Sequence, residues 1–254
     1  MRFLSIILLM IAFESQSQSY TVIHIIGKIY DTQSGSYLAK GSKVSESANL
    51  KFETGGARAA VLGASRGRFV IQENSSSTSQ SDAIYALSSV ISPVRGRLST
   101  RAGAINNALD FQKHFNESPV ALVGDQYSVK VSSESYPITD QQFFFAQYQL
   151  GEENINKKLG GANGKLQIDI NDFFSVDGKA IDPSKVSNVK LHYYDAGAGT
   201  STFITDMNLS YISDEELESL TQQFPDDNTA LLEVINAMYG KCSEAQLNEA
   251  LGGL

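Results

Sequence analysis

The chain has 254 residues, 42% hydrophobic and 19% charged, with a net charge of −8. That is enough chain and enough apolar surface for one large folded domain or two smaller ones, and it excludes a wholly disordered polymer. Residues 138–254 hold seven lysines against eighteen acids, whereas every arginine after Arg2 lies between Arg58 and Arg101; an acidic chain with so local a basic stretch is not a general nucleic-acid binder.

Residues 1–19 have the layout of a secretory signal peptide. Met1 and Arg2 form a short basic start, Phe3 to Phe13 is apolar apart from Ser5, and Glu14 to Ser19 is polar with small residues at alternate positions. Cleavage is expected after Ser17 or Ser19. The apolar run is too short to span a bilayer, and no later stretch is long enough, so the mature chain is expected to have no transmembrane segment. The single cysteine, Cys242, rules out an internal disulfide framework. It is expected to pack in a C-terminal helix.

Residues 20–73 read as short strands. Tyr20 to Tyr30 is rich in β-branched and aromatic residues, with Gly27 marking a bulge or a close backbone approach. Leu50-Lys51-Phe52-Glu53-Thr54 alternates apolar and polar, as a half-buried strand does. Ala59 to Leu62 and Arg68 to Ile71 follow, each bounded by glycine.

The stretches Val22-Ile23-His24-Ile25-Ile26-Gly27-Lys28-Ile29, Leu38-Ala39-Lys40-Gly41, Leu50 to Val61 and Gly67-Arg68-Phe69-Val70-Ile71 together resemble a FecR-like domain. The resemblance covers about a fifth of the chain and stops at residue 73. It implies a small all-β module, exposed in the bacterial envelope and used for protein contacts or sensing, not for catalysis. The sensor members' cytoplasmic N-terminal region and spanning helix have no counterpart here. The module is therefore expected to act outside the inner membrane.

Residues 74–118 break the strand rhythm and read as a helical insertion. A polar loop from Asn74 to Ser81 precedes a short helix over Asp82 to Ile91, stopped by Pro93. A second helix, Ala104 to Phe115, carries Ile105, Ala108, Leu109 and Phe115 at helical spacing. Between them Arg95, Arg97 and Arg101 cluster around glycines and hydroxyls. Arginine pairs bidentately with carboxylate or phosphate, so this cluster is a candidate docking patch for an acidic partner or other anionic ligand. The alternative is solvated surface charge.

Residues 119–212 return to strands, at Val129 to Val131, Phe143 to Tyr148, Leu166 to Ile170, Val189 to Tyr194 and Phe203 to Tyr211. Their spacing fits an antiparallel sandwich. Residues 213–254 are helical. Ser213 with Glu216 forms a capping box that opens a helix bearing Leu217, Leu220 and Phe224 on one face. Asp227 or Asn228 caps a second helix that ends at Gly240, and Ser243 with Gln246 opens a third. Helices this short need support, so their apolar faces must rest on each other, on the β region or on a partner. Leu217, Leu220 and Phe224 are candidate partner-binding residues.

The chemical motifs are weak. Gly63-Ala64-Ser65-Arg66-Gly67 matches the nucleophile-elbow pattern, but it lies between two strand-like runs, where two glycines suit a hairpin loop. His24, His114 and His192 are far apart in sequence and show no metal-ligand spacing. Asp169 to Phe174 begins like a calcium loop, yet Phe173 stands where an oxygen ligand is needed. The absence of tryptophan argues against a sugar-stacking site, although eleven tyrosines could substitute.

The expected fold is mainly β: a FecR-like module, a helical insertion, a second sandwich-like region and short C-terminal helices. The expected function is an exported binding or scaffolding protein, periplasmic or on the cell surface. It would act through protein contacts with no catalytic residue, no metal and no cofactor. The alternatives are an envelope hydrolase with an unrecognised site and a subunit of a larger secretion or surface assembly. An imidazole facing a cleft with a carboxylate or Ser65 would favour the hydrolase.

Overall fold

The computed structural model describes residues 19–63, 67–73, 83–94 and 103–253. The protein is mainly β and divides into two units, Met1–Pro93 and Val94–Leu254. Each has its own apolar core.

The first unit runs β1 (Ser19–Ile26), β2 (Ile29–Asp31), β3 (Ser36–Tyr37), β4 (Lys43–Ser45), β5 (Asn49–Phe52), β6 (Arg58–Gly63), β7 (Gly67–Gln72), β8 (Ile84–Ala86), α1 (Leu87–Val90) and β9 (Ile91–Pro93). Antiparallel pairing builds one sheet in the order β4-β1-β6-β7-β9 and another in the order β3-β2-β5-β8. Val22 and Val61 from the first sheet meet Ile29 and Leu50 from the second in one core. The alternation read at Leu50–Phe52 is the reason: Leu50 and Phe52 turn inward and Lys51 outward. Gly27 adopts φ +73°, and an added Cβ would lie 2.9 Å from that of Ala57. Only glycine allows the β1–β2 turn to pass so close.

The expected helical insertion is not one element. Its first half completes the first unit. Ile84–Ala86 pairs with β5, Ile91–Pro93 pairs with β7, and the single turn α1 between them buries Leu87 and Val90. Of the helix expected over Asp82 to Ile91, the described part keeps one turn, Leu87–Val90, and gives Ile84–Ala86 and Ile91 to strands. A lone turn without a side-chain cap cannot sustain itself, and two open sheet edges satisfy more backbone groups.

The second unit starts with α2 (Ala108–Phe115), β10 (Val120–Leu122), β11 (Gln126–Lys130), β12 (Gln142–Leu150), β13 (Glu153–Lys158), β14 (Gly160–Ala162) and β15 (Lys165–Asp169). It continues with α3 (Ile170–Phe173), β16 (Ser175–Val176), β17 (Lys179–Ala180), β18 (Val186–Asp195), β19 (Thr200–Asp206) and β20 (Leu209–Tyr211). It closes with α4 (Asp214–Thr221), α5 (Asn228–Met238) and α6 (Glu244–Gly253). Two antiparallel sheets, β13-β12-β18-β19 and β11-β15-β14, contribute to one core. Phe144 on β12 meets Phe111 on α2 at 5.3 Å between ring centres. Within α2 the expected apolar position Leu109 is 56% exposed, and Phe111 takes its place in the core.

The run Phe203 to Tyr211 splits after Asp206. Asn208 donates its N–H to the Phe115 carbonyl, and β20 leaves the sheet to pair in parallel with β10. On the other side of β10 the main chain of Lys241 pairs with Val120, so β10 binds the C-terminal segment to the unit. The helices open as their caps dictate. Ser213 and Glu216 exchange both capping-box hydrogen bonds, Asp227 accepts from Ala230 N–H, and Ser243 accepts from Gln246 N–H. Their apolar faces rest on the chain itself: Leu231, Val234, Ile235 and Leu247 are buried.

Candidate functional site

A groove of about 720 Å³ lies in the second unit between the start of α2, the edge strand β11 and the segment joining α5 to α6. Local chemistry fixes its walls. Asn107 caps α2 by accepting the Asp110 N–H at 3.0 Å. Asp110 Oδ2 in turn accepts from Asn106 N–H and from Asn107 Nδ2, both at 3.1 Å. With Phe111 and Phe115 committed to the core, the same helix turns Asp110, Lys113 and His114 toward the groove.

Tyr127 comes from β11 and shares a hydrogen bond with His114 Nε2. The third wall follows Gly240, whose φ of +107° turns the chain out of α5. Lys241 N–H then donates to the Pro119 carbonyl at 2.8 Å. Its ammonium donates to the carbonyls of Lys113 at 2.8 Å and His114 at 3.0 Å, capping the C-terminal end of α2. Cys242 follows. It is buried in the link between α5 and α6, not within a helix as expected, and its Sγ contacts the Ser243 carbonyl at 3.5 Å.

Burial keeps three of these groups uncharged. It lowers the His114 pKa to about 4, with the Lys241 charge adding to the effect. It raises the Tyr127 phenol above its ordinary value, helped by Cys242, and pushes the Cys242 thiol up to about 12. Burial also lowers Lys241, against a smaller opposing pull from Glu117. The groove therefore presents a neutral imidazole, a phenol and a thiol among lysines. The imidazole is paired with the phenol, the thiol with a carbonyl, and the one lining carboxylate, Asp110, with its helix cap.

The other positions singled out from sequence lie elsewhere. Arg95, Arg97, Arg101 and Ser65 fall outside the described residues. Leu217 and Leu220 are each 1% exposed and Phe224 8%, so the face proposed for a partner is interior to the chain. Gly63 and Gly67 pair with each other at the end of the antiparallel β6–β7 hairpin, which is not the strand-to-helix turn of a nucleophile elbow. Asp169 caps α3 by accepting the Asp172 N–H at 2.8 Å, and Phe173 is buried, its carbonyl accepting from the Tyr148 hydroxyl at 2.9 Å. Among the described residues no group of three or more His, Cys, Asp or Glu could hold a metal ion.

His24 lies on β1, its pKa lowered by burial and by Lys40. His192 stacks on Phe145 at 4.9 Å and meets the edge of Phe203 at 5.6 Å. Of the three histidines, His114 is the one that lines this groove. Sequence reading missed its neighbours because Tyr127 is 13 positions away and Lys241 127. One local signal was legible: Asp110, Lys113 and His114 share one side of a helix whose other side carries Phe111 and Phe115.

No family model, curated protein or solved structure matches the chain.

Proposed function

We propose that the protein is a non-catalytic contact protein of the bacterial envelope, exported through its N-terminal segment, with the groove beside His114 as a ligand-holding surface. One observation carries the reading. His114, Tyr127, Cys242 and Asp110 are each held uncharged or already satisfied by an internal hydrogen bond, while Lys113 and Lys130 beside them are exposed. A nucleophile needs a lowered pKa or a strong enough base beside it, whereas the Cys242 thiol is pushed up to about 12 and the His114 imidazole, at about 4, is a weak base. Export is supported by the basic, apolar and small-residue order of the first 19 positions. Ser19, the first described residue of β1, pairs with Ser45, so cleavage after Ser17 leaves every described strand residue in place. The FecR-like reading of residues 20–73 is supported by their glycine-punctuated antiparallel strands, and it too favours contact over catalysis.

The second reading, an envelope hydrolase, is favoured by the presence of an imidazole, a phenol, a thiol and a carboxylate around one hollow. Three measurements test these readings, and the last two separate them. Sequencing the N-terminus of the protein recovered from the envelope fraction should give a chain starting at Gln18 or Tyr20. Crosslinking in native envelopes should yield partners that are lost with Lys113→Glu/Lys130→Glu and retained with His114→Gln. A panel of ester, amide and glycoside substrates turned over by the wild type but not by His114→Gln would establish the hydrolase instead.

A further inference from the structure

We infer that the groove between α2, β11 and the α5–α6 link takes an organic anion, a carboxylate or a phosphate, with its charge among Lys113, Lys130 and Lys241 and its apolar part against Ile105 and Val129. The inference rests on the contact reading above and names the ligand class of that site.

Charge is the first argument. The C-terminal part of the chain is acid-rich, with seven lysines against eighteen acids over residues 138–254. The groove inverts that balance, for its lining carries three lysines and the single acid Asp110. Asp110 Oδ2 is occupied by two N–H donors of its own helix cap, so its charge is already partly compensated. Among the described residues Lys113 and Lys130 form no ion pair. Lys241 uses two donors on the α2 carbonyls, and an ammonium has three. A concavity lined mainly by one sign of charge concentrates ligands of the other sign.

The interior supplies the second argument. A tyrosinate or thiolate on the groove wall would repel an anion. Tyr127 and Cys242 are protonated at neutral pH, and burial moves both further from ionisation. Ile105 and Val129 are 4% and 7% exposed and give the groove an apolar floor. A hollow of about 720 Å³ admits a molecule larger than an inorganic ion. Lysine is a compact point charge without the planar fork of arginine, so carboxylate and phosphate both suit it.

The test is calorimetric titration of the full mature chain with phenyl phosphate, phenylacetate and the uncharged analogue benzyl alcohol. Saturable binding of at least one anion, with none of benzyl alcohol, is the expected result, and the tighter of the two anions assigns carboxylate or phosphate. Lys113→Glu/Lys130→Glu, at two exposed positions, should weaken the anion by about tenfold. Lys190→Glu, on the opposite face of β18 from the core, should leave it unchanged. If the double variant does not fold, salt titration of the wild type serves in its place, with binding weakening steadily as salt rises. Benzyl alcohol binding as well as the anions, or anion binding indifferent to both the variant and salt, would overturn the ligand class while leaving a contact groove. Absence of binding by all three probes would overturn the ligand class, and the crosslinking result then judges the contact reading separately.

Discussion

The Lys241 ammonium bonds the main-chain carbonyl of Lys113 across 128 residues of sequence, joining the end of the second helix to the far C-terminal segment. A second hydrogen bond to the neighbouring His114 carbonyl completes the cap. One side chain thus stabilises a helix terminus and shapes a wall of the groove. Lys241→Met keeps much of the aliphatic stem and removes the charge. It should cost about 2 kcal/mol in urea unfolding, the scale of hydrogen bonds made by a charged donor. A loss under about 0.5 kcal/mol would mean that water replaces the ammonium without penalty.

His114 makes stability depend on pH. Its folded pKa, about 4, lies below the 6.5 of a free imidazole. As pH falls between those values the unfolded chain takes up a proton that the folded chain refuses. Stability present above pH 6.5 is lost across that window, by on the order of 3 kcal/mol at most. Unfolding curves of wild type and His114→Gln should converge as pH drops toward 4. Parallel curves over that range would contradict a buried neutral imidazole.

Cys242 should be inert in the folded protein. The thiol is buried and its pKa is pushed up to about 12, so the thiolate that reacts with iodoacetamide is scarce. Alkylation followed by mass spectrometry should be slower by about a hundredfold in native buffer than in urea. Equal rates would place the sulfur at the surface.

Two glycines near the C-terminus should respond in opposite ways. At Gly240 a Cβ would collide with the Pro119 carbonyl, and φ is +107°. Gly240→Ala should therefore cost about 3 kcal/mol or more and loosen the Lys241 cap with it. At Gly252, within α6, a Cβ meets nothing within 4 Å. Gly252→Ala should be neutral or stabilising by up to about 1 kcal/mol, since alanine favours the helix. Comparing the two melting temperatures checks both.

His192 is the place where stability can be gained. Its Nε2 is buried and has no hydrogen-bond partner among the described residues, although the ring stacks on Phe145 and meets the edge of Phe203. His192→Phe keeps the stacking and removes the unpaired polar atom. It should raise stability by about 1 kcal/mol. A lower melting temperature would show that the imidazole has a partner that phenylalanine cannot replace.

Local chemistry made much of this protein legible. Alternation placed Leu50 and Phe52 inward, and it identified the strand from Phe143 to Tyr148 because Phe144, Ala146 and Tyr148 all face the core. Capping chemistry placed Ser213, Asp227 and Ser243 at their helix starts, since each satisfies an N–H within three residues. The polar run Glu153–Lys158 gave no such signal. It is an edge strand whose residues are mostly exposed, so its pairing with β12 left no apolar mark. Likewise Ile84 to Pro93 has no pattern stronger than the two sheet edges that claim it.

What the sequence determined by itself is everything decided within a few residues: the strand alternation, the caps, the turn glycines, and the acidic and basic stretches. Only the tertiary structure decided that Leu217, Leu220 and Phe224 are interior, because nothing in a helix says which surface will cover its apolar face. Only it assembled His114, Tyr127 and Lys241 around one groove. That assembly depends on β10 pairing on one side with β20 and on the other with Lys241. These are non-local main-chain hydrogen bonds, for which side-chain spacing carries no code.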